Sequence, residues 1–237
     1  MASLGNSQSL SIVIPSLNEA SNLPLLIADL NRWPYQLEIC VCDACSTDLT
    51  SLVAELAGAK LVQLLEPNRG DQLHQGAIST KGDWILFLHA DCRLPENWPE
   101  TLEAIINKPS SERIAWFFDF KVEGKSTALW LLELAINIRC NLLKKPYGDQ
   151  GLLLNRAIYN YIGGYRPLYL MEDLDLIERL SKIVRIKSIG IPLYCSSRRW
   201  HNINLLSNAY KNAQLRRRWR RGESTKNLAQ SYYTDGK

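Results

Sequence analysis

The run Lys81-Gly82-Asp83-Trp84-Ile85-Leu86-Phe87-Leu88-His89-Ala90-Asp91 constrains this chain more than any other stretch. A turn signal at Lys81-Gly82-Asp83 leads into apolar residues on both alternating faces. That is the pattern of a strand covered from two sides in a parallel sheet. Strand alternation places His89 and Asp91 on the same side, at the strand's C-terminal end. Open α/β sheets bind ligands beyond the carboxyl ends of their strands. A carboxylate there suits a hard divalent cation, which prefers oxygen ligands and leaves positions for phosphate oxygens. The same residues equally describe a buried strand whose last Asp caps the next turn.

Three strand–helix units precede this run. Leu10–Pro15 is a strand, with Asn18 or Ser21 capping a helix to about Asn31 before Trp33-Pro34 breaks it. Leu37–Cys42 is a second strand ending at Asp43, with Ser46 or Thr47 capping a helix to about Ala57. Lys60–Leu65 is a third strand, followed by the loop Pro67–Gly70 and a helix over Asp71–Thr80. Successive units of this kind pair in parallel through right-handed crossovers. Beyond Asp91 the pattern changes. A helix runs from Leu94 to about Asn107, and Arg113–Val122 is a longer strand, antiparallel and at an edge. An amphipathic helix over Ala128–Leu143 carries Glu133, Asn137 and Asn141 on one stripe. A loop at Tyr147–Gly151, helices over Asn155–Tyr161 and Met171–Leu180, short strands near 185–189 and 192–196, and a last helix from about Asn204 to Arg221 complete the chain.

The 237 residues suffice for one sizeable α/β domain. We expect a loose tail over residues 1–9, a catalytic domain over 10–203 and a basic C-terminal helix and tail over 204–237. Charge is unevenly placed: residues 1–197 hold 18 Lys/Arg against 22 Asp/Glu, and residues 198–237 hold 10 against 2. The six cysteines include the C-x-C-x2-C run at 40, 42 and 45, with no second cluster to complete a zinc site. With no signal peptide visible, reduced thiols in a cytoplasmic protein are the expectation. No apolar run spans a bilayer, because Ala128–Leu143 is interrupted by Glu133, Asn137, Arg139 and Asn141.

Four polar clusters fall past predicted strand ends or in loops: Asn18-Glu19, Asp43, His89/Asp91 and Glu172-Asp173. On a parallel sheet the first three converge on one rim. Carboxylates there can accept hydrogen bonds from a base and from ribose hydroxyls, and a diphosphate needs a metal or fixed cations. An alcohol acceptor needs a carboxylate base on the far side. No G-x-G-x-x-G follows the first strand and no G-x-x-x-x-G-K-[ST] is present, which argues against a nicotinamide dehydrogenase and a P-loop nucleoside triphosphatase.

Ile14-Pro15-Ser16-Leu17-Asn18-Glu19, Cys42-Asp43-Ala44-Cys45-Ser46-Thr47-Asp48, Gly82–Asp91 and Met171-Glu172-Asp173-Leu174-Asp175-Leu176 resemble, in order, the successive motifs of glycosyltransferase family 2. His-Ala-Asp in place of Asp-x-Asp, together with Pro146–Gly151, is similar to a small bacterial group named for arsenosugar biosynthesis or for association with radical-SAM and selenodomain proteins. The resemblance implies a GT-A fold: α/β, with a Rossmann-like, mostly parallel sheet flanked by helices, an antiparallel edge and a C-terminal helix. It also implies a nucleotide-diphosphate sugar donor, UDP-linked in the best-known relatives, a divalent cation (Mg or Mn), and inversion at the anomeric carbon. Residues 10–92 would form the nucleotide-binding half and 93–203 the acceptor half.

By the same resemblance, Asp43 holds the base, with Pro15, Asn18 and Glu19 lining its pocket, and Arg69 and Gln72 contact the nucleotide side. Asp91 matches the metal-binding Asp. His89 stands where an Asp usually contacts ribose, and a neutral imidazole there bonds a hydroxyl or ligates the metal. Asp173 matches the catalytic base, beside Glu172 as an orienting or acceptor-side residue. Asp149 and Gln150 sit between two glycines, where backbone can approach a ligand closely. Ser196-Ser197-Arg198-Arg199-Trp200 is similar to the Q-x-x-R-W of processive synthases, with Ser196 in place of Gln. Arg198 and Arg199 would reach the diphosphate, because a planar guanidinium matches phosphate oxygens, and Trp200 would lie at the acceptor.

The expected activity is transfer of one sugar to a small-molecule or lipid-linked acceptor. The alternatives are a nucleotidyltransferase on a similar sheet, or a non-enzymatic module that binds membrane or nucleic acid through its basic helix. For Arg216-Arg217-Arg218-Trp219-Arg220-Arg221 three readings stand: a solvated helix end complementing the macrodipole, an anionic-membrane contact at the inner face of the membrane, and an RNA-binding strip.

Overall fold

The apolar runs become strands buried on both faces. A computed structural model describes residues 8–124, 126–196 and 205–234. The strands are β1 (Leu10–Ser16), β2 (Leu37–Ala44), β3 (Lys60–Leu64), β4 (Trp84–Phe87), β5 (Cys92–Arg93), β6 (Ile114–Val122), β7 (Leu152–Asn155) and β8 (Arg185–Cys195). They form one sheet in the order β3-β2-β1-β4-β7-β6-β8-β5. β1 pairs in parallel with both β2 and β4, and β2 pairs in parallel with β3. The chain runs outward through β2 and β3 and returns to β4 on the other side of β1. That reversal opens a crevice past the carboxyl ends of β1 and β4, where such sheets bind ligands.

The helices are α1 (Leu23–Leu30), α2 (Thr50–Leu56), α3 (Arg69–Ser79), α4 (Trp98–Ile106), α5 (Thr127–Leu143), α6 (Arg156–Tyr161), α7 (Glu172–Leu180), α8 (Leu205–Arg220) and α9 (Thr225–Thr234). Ile12, Ile14, Trp84 and Leu86 pack on one side with Leu23, Leu26 and Leu30 of α1 and with Trp98 and Leu102 of α4. Val13, Ile85 and Phe87 pack on the other side with Leu73 and Ala77 of α3 and with Leu176 and Leu180 of α7. Each fully buried Leu, Ile or Phe contributes about 1.5–3 kcal/mol, so both faces of the sheet hold their helices in place. Among the described residues no helix is long and apolar enough to cross a membrane.

Several local expectations are corrected. β4 ends at Phe87, and residues 88–91 leave the strand and turn into β5, with Cys92 N–H donating to His89 O at 3.3 Å. Alternation therefore does not set the directions of His89 and Asp91. Asn18 and Ser21 do not cap α1: Asn22 precedes it without a side-chain cap. Ser46 and Thr47 do not cap α2, which follows Leu49, because both bond to the loop instead.

The strand expected at an edge, β6, lies inside the sheet, antiparallel to β7 as expected and parallel to β8. Its backbone beyond the β7 pairing is satisfied from α5: Phe120 N–H donates to Asn137 Oδ1 at 2.9 Å, and Asn137 Nδ2 donates back to Phe120 O at 3.0 Å. Val122 N–H donates to Glu133 Oε1 at 2.8 Å. The polar stripe of α5 thus replaces a neighbouring strand, since buried backbone groups must find partners. The two short strands expected at 185–189 and 192–196 are the single strand β8, with a register shift against β6 between Phe117 and Asp119. The last helix breaks at Gly222 (φ 87°), and α9 follows it.

Candidate active site

Two loops at the carboxyl ends of β1 and β2 are latched into one wall. Asn18 (φ 55°) and Cys45 (φ 60°) adopt the left-handed backbone that non-glycine residues rarely hold. Asn18 Oδ1 accepts from Thr47 N–H at 2.8 Å, and Asn18 N–H donates to Ser46 Oγ at 2.8 Å. Asp43, buried at the end of β2, accepts from the Ser46 hydroxyl, from Ser46 N–H at 3.1 Å and from the Ser51 hydroxyl at 3.2 Å. Glu19 accepts from Asn22 Nδ2 at 2.6 Å. Pro15 pairs with Cys42 across the β1–β2 ladder. Asp43 is thus bonded to the segment that follows β2, and Glu19 to Asn22 ahead of α1.

Helix α3 connects this wall to the rest of the site. Gln72 is buried and donates to Ser16 O at 3.0 Å and to Cys42 O at 2.8 Å, pinning together the ends of β1 and β2. Arg69 precedes it by one turn and reaches the other way. Its Nε lies 2.9 Å from Glu172 Oε1, an ion pair without the alignment of a hydrogen bond, and its Nη2 contacts His89 Nε2. Asn68 caps this helix, its side chain accepting from Asp71 N–H at 3.1 Å. Gly70 allows the turn to sit against the backbone of Arg166 and Leu168, where a Cβ would overlap Arg166 O and lie 2.7 Å from Leu168 N. Burial opposes the charge on Arg69, but Glu172, Asp173 and Asp149 outweigh it and hold the guanidinium above its ordinary pKa.

His89 stands between charges of opposite sign. Nε2 faces the Arg69 guanidinium, which only donates, and Nδ1 lies 3.6 Å from Asp149 Oδ1. The arrangement selects the tautomer with its proton on Nδ1 and its acceptor on Nε2. A cation ligated by that Nε2 would have to displace Arg69.

Glu172 and Asp173 open α7 directly after Met171, whose φ of 68° turns the chain sharply into the helix. Glu172 is buried, and desolvation pushes its carboxyl up to about 7 against the opposing pull of Arg69. Asp173 Oδ2 accepts from Gly148 N–H at 2.8 Å, and Oδ1 accepts from Leu174 N–H at 2.7 Å. A Cβ at Gly148 would push against the end of the Arg69 side chain and lie 3.1 Å from His89 Nε2. Asp149 keeps 37% of its side chain exposed. Gln150 turns inward: it accepts from the Cys140 thiol at 2.9 Å and Tyr147 N–H at 3.2 Å, and donates to Phe118 O at 3.3 Å.

A cleft of about 650 Å³ opens beside Asp149, Glu172 and Asp173, walled by α5 through Leu132, Ile136 and Arg139 and by α8 through Leu215 and Arg216. The site expected from the sequence gave α8 no part, although the helix carries apolar residues beside its basic ones, and Leu215 among them is buried. Arg198, Arg199 and Trp200 lie outside the described residues.

Asp91 is half-buried in the turn past β4. Among the described residues no three His, Cys, Asp or Glu side chains form a cluster that could hold an ion unaided. A single carboxylate at this rim fits a Mg²⁺- or Mn²⁺-type ion that takes its other ligands from phosphate oxygens and water.

The sequence profile of glycosyl transferase family 2 matches residues 11–166. An uncharacterized glycosyltransferase of Haemophilus influenzae is 31% identical over 182 residues, covering 72% of this chain and 61% of that protein. Staphylococcus aureus TarS 1–349 in complex with UDP-GlcNAc superposes with a TM-score of 0.65 at 17% identity, over 80% of this chain and 59% of that one. Glucosyl-3-phosphoglycerate synthase from Mycobacterium tuberculosis, in complex with Mn²⁺, UDP and glucosyl-3-phosphoglycerate, superposes with a TM-score of 0.57 at 19% identity, over 88% of this chain and 77% of that one. The chain therefore spans about 61% of the H. influenzae relative's length and 59% of the TarS chain. With the profile running from β1 through α6 and the sheet shared with these enzymes, the chain has the GT-A fold and belongs to glycosyl transferase family 2.

Proposed function

We propose that this chain is an inverting, metal-dependent glycosyltransferase that moves a single sugar from a nucleotide-diphosphate donor, UDP-linked by expectation, to a small-molecule or lipid-linked acceptor. The observation that carries this reading is the Asp173 carboxylate, oriented by Gly148 N–H at the floor of the cleft and joined through Arg69 and α3 to the rim at β1 and β2. In this reading residues 10–92 hold the donor, 93–203 hold the acceptor, and the helices from 204 onward close the acceptor side.

The Asn18–Ser46 wall, with Pro15, Glu19 and Asp43, takes the base. Asp91 would hold the divalent cation, whose contribution when bound is to neutralise the diphosphate as it leaves. Arg69 supplies fixed positive charge beneath the same rim, paired with Glu172 so that it neither moves nor deprotonates. His89, its ring held by Arg69, stands between the donor side and Asp149. Asp173 accepts the proton of the acceptor hydroxyl as that oxygen forms its bond to the anomeric carbon. The bond from that carbon to the diphosphate oxygen breaks on the opposite face, and configuration inverts. Asp149 lies beside this path, and Gln150 keeps the loop in shape from below.

The test is a thermal-shift screen of UDP, GDP and their sugars with and without Mn²⁺, since a ligand that binds the native state raises its melting temperature. Stabilisation by a nucleotide-diphosphate sugar that grows with Mn²⁺ supports the reading. No shift with any of them overturns it.

A further inference from the structure

The cleft that Asp173 lines also carries two cations that make no ion pair among the described residues. Arg139 of α5 and Arg216 of α8 converge on one ring: their guanidinium carbons lie 4.0 Å and 5.9 Å from the centroid of Tyr147. Arg139 Nε is buried without a hydrogen-bond partner, and its Nη2 donates to the Cys140 sulfur at 3.5 Å. Among the described residues neither arginine has a carboxylate partner. Two other arginines of α8 do: Arg218 Nε lies 2.7 Å from Glu223, and Arg220 Nη2 lies 2.9 Å from Glu178. Two guanidiniums held near one ring, without a carboxylate partner among the described residues, repel each other, and an anion bound to both removes that cost with charge-assisted hydrogen bonds.

Leu132, Ala135 and Ile136 of α5 and Leu215 of α8 add apolar surface to the same cleft. The outer face of α5 is apolar as well, with Trp130, Leu131, Leu134, Ile138 and Leu142 all exposed. A volume of about 650 Å³ is ample for a ligand of many heavy atoms.

We infer that the acceptor is an anionic amphiphile. Its apolar chain lies between Leu132, Ile136 and Leu215, its phosphate or carboxylate lies on Arg139 and Arg216, and its hydroxyl is presented to Asp173. This deepens the transferase reading and rests on it for the role of Asp173. The binding half of the inference does not.

The experiment is isothermal titration of the full chain with dodecyl phosphate below its micelle concentration, beside inorganic phosphate and the neutral dodecyl maltoside. Saturable binding of dodecyl phosphate is expected, with the neutral amphiphile weaker by about tenfold or more and phosphate alone weaker still. Arg139→Gln and Arg216→Gln should each weaken dodecyl phosphate binding about tenfold, while Arg216→Lys, which keeps the charge but not the planar fork, should retain part of it. Equal binding of the neutral amphiphile, undiminished binding by both Gln variants, or no binding of dodecyl phosphate overturns the inference. Phosphate binding as tightly as dodecyl phosphate also overturns it, by assigning the arginines to a small free anion. Melting curves of each variant separate lost binding from lost folding. The UDP-induced shift, measured on the same samples, reports the donor reading independently: its absence with dodecyl phosphate still bound sinks the transferase assignment and spares the anion site.

Discussion

Arg69 Nε and Glu172 Oε1 lie 2.9 Å apart, joining the first turn of α3 to the first turn of α7 beneath the candidate active site. The pair is buried on the carboxylate side, where only 4% of the Glu172 side chain remains exposed. Above about pH 7, where Glu172 is ionised, removing one member leaves the other's charge in a poorly solvated place, whereas removing both does not.

We therefore expect Arg69→Met to destabilise the fold by about 3–5 kcal/mol, and Arg69→Met combined with Glu172→Met to recover most of that loss. Urea denaturation of the two single variants and the double variant measures the coupling. Additive losses would show that the two side chains act independently.

Glu172 also makes stability depend on pH. Burial raises its pKa from an ordinary 4.5 to about 7, so the folded protein keeps a proton that the unfolded chain has released. Stability contributed through this group therefore falls as pH rises from about 4.5 to about 7 and is level above that. Calorimetric melting across this interval should show the slope in the wild type, and Glu172→Gln should flatten it. An unchanged slope in the variant would place the titration elsewhere.

Asp173→Asn keeps an oxygen to accept from Gly148 N–H, so the loop and donor binding should persist while transfer falls by about 10²–10⁴-fold with the base removed. Asp91→Asn should act differently, abolishing the Mn²⁺-dependent part of the UDP thermal shift and leaving the metal-free part intact. Wild-type transfer by Asp173→Asn would remove it from the role of base.

Asn137→Leu tests the stripe on α5. The change leaves Phe120 N–H and C=O without the partners now at 2.9 and 3.0 Å. A loss of about 1–3 kcal/mol follows from exposing buried backbone groups to no partner. Hydrogen exchange at Phe120 should quicken by the same change, and unaltered protection would mean that β6 is held from β8 alone.

Residues that act through their own segment were legible in the chain. The apolar runs of β1, β2 and β4, the acids just beyond them and the acids opening α7 are local patterns, and the family motifs lie on those same stretches. Asp43, His89, Asp91 and Asp173 were accordingly singled out at positions that the fold places at a strand end, past one or at a helix start. Asn18, Ser46 and Thr47 were misread as caps. A short polar side chain near a helix start can bond forward to the helix or sideways to another loop, and the sequence does not distinguish the two.

What the chain alone determined was the alternation of buried strands and helices and the chemistry of the rim, because periodicity and turn residues act over a few neighbours. Only the tertiary structure decided that β6 lies inside the sheet, and that Asn137 stands in for a strand. It likewise decided that Gln72 and Arg69 tie the two sides of the site through one turn of α3, and that α8 closes a cleft over Asp173. Each of these depends on which distant backbone group or charge arrives at hydrogen-bonding range, and no local pattern encodes that distance.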